Sequence, residues 1–157
     1  MKLSYLIIHC TATPAGREIS AAEIRRWHTS PVKKGGRGWK QVGYADMIHL
    51  NGQVENLVPY DADAEVEPWE ITNGAAGYNA RSRHVVYVGG TDKDGQPEDT
   101  RTIPQRIALR NYITQTIAQH PDIRIAGHSS FAAKACPSFD AVQWLRGVGV
   151  PVKNIQL

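Results

Sequence analysis

The chain has 157 residues, and its 18 Lys and Arg side chains against 15 Asp and Glu give a net charge of +3 at pH 7. Hydrophobic residues make up 41% and charged residues 21%, which is the balance of an ordinary globular protein. This length predicts one domain over residues 1–157 that folds without disulfide bonds, and no stretch approaches the ~20 apolar residues of a membrane span.

The first predicted element is a buried central strand over residues 5–9, an apolar run rich in branched side chains. The apolar run ends at His9 and is too short for a signal-peptide core, so we expect synthesis and first folding in the cytoplasm. Ser20 and Glu23 then have the spacing of a capping box, in which two side chains satisfy free N–H groups at a helix start. This spacing predicts a helix over residues 20–28.

A β-hairpin is predicted over residues 42–58, because the turn dipeptide Asn51-Gly52 separates two strand-like runs. Residues 61–83 are polar and rich in glycine and asparagine, which is typical of a long surface loop. The apolar residues that follow predict another strand over residues 83–89.

The last third of the chain alternates between helix and strand. A helix is predicted over residues 102–119, where a second capping box precedes an apolar face and Pro121 follows the end. Residues 123–128 alternate like a strand, and residues 138–146 predict a short final helix. The order of elements predicts an α/β fold in which helices flank a mixed, partly parallel central β-sheet.

Two histidines and a cysteine are candidates for a metal site. His9 and His128 each end a predicted strand, and ligands collect at the carboxyl ends of strands in open α/β sheets. Cys136 follows eight positions after His128. Two imidazoles and a thiolate suit zinc and leave a fourth position open for water, as in catalytic zinc sites. Spacing alone leaves this open, because lone histidines and cysteines are more often simply packed or exposed.

The other candidate metal ligands are weaker. Side chains alternate along a strand, so Cys10 is expected to face away from His9 as a small core residue. The remaining histidines are expected at helix ends or on strand surfaces, with His49 as a reserve ligand: His28, His49, His84 and His120.

The local sequences around these residues carry a family resemblance. The motifs, in chain order, are Ile8-His9-Cys10-Thr11-Ala12-Thr13, Val42-Gly43-Tyr44, Gly77-Tyr78-Asn79, Val88-Gly89-Gly90, His128, and Lys134-Ala135-Cys136-Pro137-Ser138-Phe139-Asp140. Together they resemble the zinc-dependent N-acetylmuramoyl-L-alanine amidases related to phage lysozyme and to the peptidoglycan recognition proteins. The matches run in the family's order over residues 5–146, which is nearly the whole chain.

The resemblance implies a fold and a reaction. The fold is that of the amidases and peptidoglycan recognition proteins, and the reaction is endolysin-like hydrolysis of the amide bond between N-acetylmuramic acid and L-alanine in peptidoglycan. It implies Zn²⁺ held by His9, His128 and Cys136, and a catalytic pair of Tyr44 and Lys134. A zinc ion acidifies a bound water, and a lysine ammonium stabilises the oxyanion that forms on the carbonyl. We expect a monomer.

Trp39 and Asn79 are the candidates for substrate contact. Trp39 lies in a basic loop over residues 33–40, which either contacts the carboxylates or glycan of the cell wall or is a solvated surface turn. Asn79 belongs to the matched Gly-Tyr-Asn motif.

The chain departs from the family pattern at two positions. Asp46 stands where the family commonly has an aromatic residue, and strand alternation would place it on the same face as Tyr44. It would then support a ligand or Lys134, or accept a proton. Gly74 stands in a stretch where some relatives carry a histidine, which puts any substrate contact inherited from that loop in doubt.

Two other functions remain to be weighed. Some relatives are non-catalytic peptidoglycan-binding modules that have lost the cysteine ligand, but Cys136 is present here. Some phage relatives bind a polymerase, yet a net charge of +3 and a single basic loop give little electrostatic footprint for nucleic acid. The lack of a signal peptide fits both a released phage-type lysin and a cytoplasmic enzyme that trims wall fragments.

Overall fold

The protein is a single α/β domain with a mixed central sheet, as predicted. The structure is a computed structural model that describes residues 1–157. Its strands are β1 (Tyr5–Cys10), β2 (Thr13–Pro14), β3 (Asp46–Ile48), β4 (Val54–Asn56), β5 (Ser82–Tyr87), β6 (Gly90–Thr91) and β7 (Arg124–Gly127). Its α-helices are α1 (Ala21–Thr29), α2 (Ile103–Gln119) and α3 (Ala141–Gly147). None of these helices has the length and apolar character needed to cross a membrane.

The central sheet has five strands in the order β4-β3-β5-β1-β7. β1 runs parallel to both of its neighbours, β5 and β7, and β3 is parallel to β5, while β4 is antiparallel to β3. The two short strands β2 and β6 pair separately, in parallel. Because β1 lies between two parallel partners, the residues at its carboxyl end meet the carboxyl ends of β5 and β7.

Both faces of the sheet are covered, which explains the uninterrupted apolar run in β1. On one face, Leu6 and Ile8 pack with Leu109 and Ile113 of α2 and with residues of α3. On the other face, α1 packs Ile24 against residues of β3 and β5. A strand buried on both sides tolerates no alternation of polar and apolar residues, so its sequence reads as a continuous hydrophobic stretch.

The helix starts follow the capping predictions. Glu23 N–H donates to Ser20 Oγ at 3.1 Å, and Ser20 N–H donates to the Glu23 carboxylate at 2.9 Å, which forms the capping box of α1. Thr102 and Gln105 form the second capping box at the start of α2. The last helix begins later than the predicted residue 138, because Ser138 has a left-handed φ of 68°.

The hairpin turn lies where the Asn51-Gly52 dipeptide predicts it, with Gly52 at a φ of 87°. Its strands are shorter than the predicted span, since β3 begins only at Asp46 and β4 ends at Asn56. The segment between β4 and β5 is mainly loop with two short 3-10 turns, in agreement with the sequence.

A buried carboxylate ties this hairpin to α2. Asp46 is 3% exposed and accepts hydrogen bonds from the Tyr60 and Tyr112 hydroxyls and from Asn56 Nδ2. Because Ile48, two residues on, packs on the α2 face of the sheet, Asp46 points to that face as well. Burial raises the pKa of Tyr112, and the neighbouring Asp46 carboxylate raises it further, so the Tyr112 hydroxyl stays a hydrogen-bond donor.

We expect Asp46→Asn to lower the free energy of unfolding by about 1–3 kcal/mol, because the tyrosine hydroxyls lose a charged acceptor. Urea unfolding of the purified variant measures this change. The control is Asp122→Asn at an exposed carboxylate, which should leave the unfolding midpoint unchanged. Equal midpoints for the two variants would contradict a stabilising role for the buried carboxylate.

Candidate active site

A cleft of about 630 Å³ opens beside the carboxyl end of β1. His9 is the fifth residue of that strand, and His128 directly follows β7, so adjacent parallel strands deliver both imidazoles to the same edge. The residues from other elements that line the cleft include Trp39, Tyr44, Asn79, Lys134 and Cys136. All seven site residues expected from the sequence therefore line a single cleft.

The three predicted metal ligands converge at the floor of this cleft. One donor atom each of His9, His128 and Cys136 lies within 4.8 Å of the other two. His9 Nδ1 is 3.6 Å from Cys136 Sγ, and the two imidazole rings are 4.7 Å apart between centroids. His9 is 1% exposed and His128 is 8% exposed. The chain therefore gathers two nitrogen donors and one sulfur donor in a largely buried pocket.

The environment keeps both imidazoles neutral, which leaves their lone pairs free for a cation. Burial lowers the pKa of His9 well below its usual value, and the neighbouring histidines and Lys134 lower it further. Burial and then Lys134 lower the pKa of His128. Hydrogen bonding with Cys10 and burial raise the pKa of the Cys136 thiol. A coordinating cation would reverse that preference, because a metal-bound thiol loses its proton.

Tyr44 lies over His9, with 5.2 Å between the ring centroids, and burial raises the pKa of its hydroxyl. Its backbone is held from α1, because Gly43 N–H donates to His28 Nδ1 at 2.9 Å. His28 is 7% exposed and lines the cleft, and burial lowers its pKa to about 4. His28 does end a helix as predicted, but it supports the site rather than facing solvent.

Lys134 and Arg37 are the only charged side chains that line the cleft, and no carboxylate faces it. Lys134 is exposed and close enough to lower the pKa of both His9 and His128 through its positive charge. It stands on the loop that leads to Cys136. The cleft is therefore positive, which favours negative charge on a bound group.

The two residues expected to touch substrate are held in different ways. Trp39 packs against His28, with 4.9 Å between the ring centroids. The Arg37 guanidinium lies over the Trp39 ring, 5.0 Å from its centroid. The Asn79 side-chain oxygen accepts from Ala75 N–H at 2.8 Å and lies 3.0 Å from His84 Nε2. That oxygen is thus engaged within the protein.

The expectation that His84 lies on a strand surface is wrong. His84 is fully buried in β5, and its Nδ1 lies 2.9 Å from His9 Nε2. Every residue of β5 is buried, so a polar side chain there does not mark a solvent face. No local sequence pattern marks His84 as buried; the structure shows that Gly74 leaves room for its ring, since a Cβ at residue 74 would lie 2.4 Å from His84 Nδ1.

Two further histidines lie away from the metal candidates. His49 bonds to the carboxylates of Glu18 and Glu55 at 2.8 and 2.9 Å and does not line the cleft, so it is not a reserve ligand. His120 caps the end of α2, as expected of a helix-end residue, but it is only 7% exposed.

Asp46 does not share a face with Tyr44, which corrects the expectation from strand alternation. Residues 42–45 are not strand, so the alternation begins only at Asp46, whose side chain faces α2. Asp46 contacts neither the three metal candidates nor Lys134, and it does not line the cleft. It is therefore not placed to accept a proton there. Cys10 packs in the α2-side core as predicted, but it also borders the cleft, where its N–H donates to Cys136 Sγ at 3.4 Å.

The cleft belongs to a known class of enzyme. A family model described as N-acetylmuramoyl-L-alanine amidase matches residues 1–139. The chain belongs to the N-acetylmuramoyl-L-alanine amidase family. The amidase is 36% identical over 141 residues to an endolysin of Klebsiella phage KP32, which covers 90% of this chain and 84% of the relative. It is 32% identical over 139 residues to the endolysin of Escherichia phage T7, covering 88% and 83%.

Solved structures share the fold of the amidase at lower identity. The Ph2119 endolysin from a Thermus scotoductus bacteriophage superposes with a TM-score of 0.69 at 21% identity, covering 95% of this chain and 86% of that one. A Drosophila PGRP-LB mutant in complex with tracheal cytotoxin gives 0.70 at 17% identity, covering 99% and 85%. These likenesses support the α/β architecture described above.

Gly74→Ala should destabilise the amidase, because its Cβ would press on the His84 ring and come within 2.8 Å of the Gly43 carbonyl oxygen. We expect a loss of about 1–3 kcal/mol in the free energy of unfolding, as for other overpacked sites. The matched control is Gly147→Ala at the end of α3, where an added Cβ meets nothing within 4 Å. Thermal unfolding compares the two, and equal melting temperatures would mean that residue 74 has room to spare.

Proposed function

We propose that the amidase is zinc-dependent and cleaves peptidoglycan between N-acetylmuramic acid and L-alanine within a single domain of residues 1–157. The observation that carries this proposal is the convergence of His9, His128 and Cys136, whose donor atoms lie within 4.8 Å of one another in the cleft. Membership of the N-acetylmuramoyl-L-alanine amidase family supplies the bond that is cut.

The donor set fits zinc by its chemistry. Neutral imidazoles and a cysteine thiolate are ligands that zinc prefers, and three protein ligands leave a fourth position for water or substrate. When bound, zinc supplies Lewis acidity that polarises a carbonyl group and lowers the pKa of a water molecule. Burial keeps His9 and His128 unprotonated, so neither ring needs to lose a proton before binding a cation.

Lys134 and Tyr44 are the proposed catalytic pair. The Lys134 ammonium at the cleft stabilises the negative charge that develops on the carbonyl oxygen of the scissile amide. Tyr44, whose hydroxyl remains protonated because burial raises its pKa, orients the attacking water or the tetrahedral intermediate by a hydrogen bond. Both side chains reach the cleft beside the ligand set.

Peptidoglycan stem peptides suit this cleft. They carry carboxylates, and the charged lining consists of Arg37 and Lys134 alone. Trp39 and Asn79 line the same cleft and are the proposed contacts to glycan or peptide. The phage relatives named above are endolysins, so we infer that this amidase, as a monomer, lyses the cell wall in the manner of a phage lysin. The presence of Cys136 disfavours a non-catalytic binding module.

Elemental analysis and hydrolysis together test the zinc proposal. Purified wild type should contain about one zinc per chain and release amide-cleaved products from peptidoglycan, and Cys136→Ser should lose both. The control is Cys10→Ser, which changes the neighbouring cysteine outside the donor set and should retain zinc. Hydrolysis by protein stripped of all metal would sink the proposal.

Lys134→Met should keep zinc but lose catalytic rate. Removing one stabiliser of an oxyanion typically lowers kcat by roughly 10²–10³, and we expect a loss in that range with a smaller change in KM. Lys40→Met is the matched control, because Lys40 is exposed and does not line the cleft. Steady-state kinetics on a soluble muropeptide measure both variants; an unchanged kcat for Lys134→Met would remove it from the mechanism.

A further inference from the structure

We propose that His84 is a positioning residue that fixes the tautomer of His9, so that the lone pair of His9 Nδ1 faces the candidate metal ligand Cys136. The inference rests on the proposed zinc site and adds a residue to it. His84 lies behind His9, with its Nδ1 2.9 Å from His9 Nε2 and 5.0 Å between the ring centroids. The far side of the His84 ring meets Asn79.

The polarity of this chain of hydrogen bonds is set by a backbone amide. Ala75 N–H can only donate, so the Asn79 side-chain atom 2.8 Å away must be the oxygen, Oδ1. The same oxygen lies 3.0 Å from His84 Nε2. Because a carbonyl oxygen only accepts, His84 Nε2 must carry the hydrogen and donate it.

The hydrogen on His84 Nε2 also determines which nitrogen of His9 carries a hydrogen. A neutral imidazole has one donor and one acceptor nitrogen, so His84 Nδ1 holds a lone pair. It therefore accepts a hydrogen bond from His9, whose Nε2 must carry the hydrogen. His9 Nδ1 is left as a bare lone pair, and this is the nitrogen that lies 3.6 Å from Cys136 Sγ. This chain of hydrogen bonds from Ala75 through Asn79 and His84 to His9, here called the relay, leaves the lone pair of His9 Nδ1 free to bind a metal.

The sheet explains why His84 reaches this place. In the parallel pairing of β1 and β5, His84 lies opposite Ile7, and His9 lies opposite Val86. His84 and His9 are therefore diagonal neighbours on one face of the sheet. Both are essentially inaccessible to solvent, so no water competes for the hydrogen bond between them.

Gly74 completes the arrangement. A Cβ at residue 74 would lie 2.4 Å from His84 Nδ1 and 2.5 Å from its Cγ, so the His84 ring occupies the space of a residue-74 side chain. The absence of a side chain at residue 74 therefore leaves the room that the His84 imidazole fills.

Two nearly isosteric variants separate hydrogen bonding from packing. Asparagine and leucine have similar shape, but only His84→Asn offers an oxygen near the position of Nδ1 to accept from His9 Nε2–H. We expect His84→Leu to bind zinc roughly 10- to 100-fold more weakly than wild type, the usual cost of losing a partner behind a ligand. His84→Asn should recover most of that loss. Competition with a chromophoric chelator measures both affinities.

Nitrogen NMR of the metal-free wild type tests the relay without any substitution. Imidazole ¹⁵N shifts distinguish a protonated nitrogen from a bare one, and we expect Nε2–H with bare Nδ1 in both His9 and His84. In His84→Leu, the His9 signals should move toward a mixture of the two forms. This spectrum decides the question even if the leucine variant folds poorly.

The outcomes separate this inference from the zinc proposal. If wild type binds zinc and His84→Leu binds it equally well, His84 does not position a ligand, although the zinc site stands. A metal-free wild type with hydrogen on His9 Nδ1 would also overturn the relay. If wild type binds no zinc, the zinc proposal fails, while the spectrum still reports whether the relay exists.

Discussion

The burial of one neutral imidazole at the end of β1 is the constraint on which the site depends. His9 is 1% exposed, and burying an unpaired polar nitrogen is costly, so both of its ring nitrogens need partners within the protein or its ligands. His84 of β5 hydrogen-bonds to His9 Nε2, and Cys136 Sγ lies 3.6 Å from His9 Nδ1. A strand flanked by two parallel neighbours is the arrangement that delivers such partners from both sides. The sheet topology therefore determines which residues can surround His9.

The site also depends on loops that return to the sheet edge from distant parts of the chain. Cys136 lies 127 positions after His9 in sequence, yet their donor atoms are 3.6 Å apart. Tyr44 is held over His9 through the contact of Gly43 with His28 in α1, so a helix on the second face of the sheet helps to shape the cleft. On the opposite face, Asp46 accepts hydrogen bonds from the Tyr60 and Tyr112 hydroxyls and so links the hairpin to α2. Contacts on both faces of the sheet therefore hold the segment over residues 43–46 in place.

Much of the fold can be predicted from local sequence patterns, whereas the candidate site residues come mainly from the motif resemblance. Capping boxes at Ser20 and Thr102 and the Asn51-Gly52 turn are short-range signals, so they were readable directly. The sequence predicts a strand-surface position for His84, whereas long-range packing buries every residue of β5. Strand alternation predicts that Asp46 shares a face with Tyr44, but residues 42–45 are irregular and the rule does not apply to them. Both differences arise from tertiary contacts that no local pattern encodes.

The central claim is that His9, His128 and Cys136 together hold a zinc ion in the cleft of this amidase. X-ray absorption at the zinc K edge of the purified protein tests it most directly, because sulfur and nitrogen ligands scatter differently. The account predicts one sulfur at ~2.3 Å with nitrogen or oxygen ligands at ~2.0–2.1 Å, and loss of the sulfur contribution in Cys136→Ser. A zinc environment made only of oxygen and nitrogen in the wild type would contradict it.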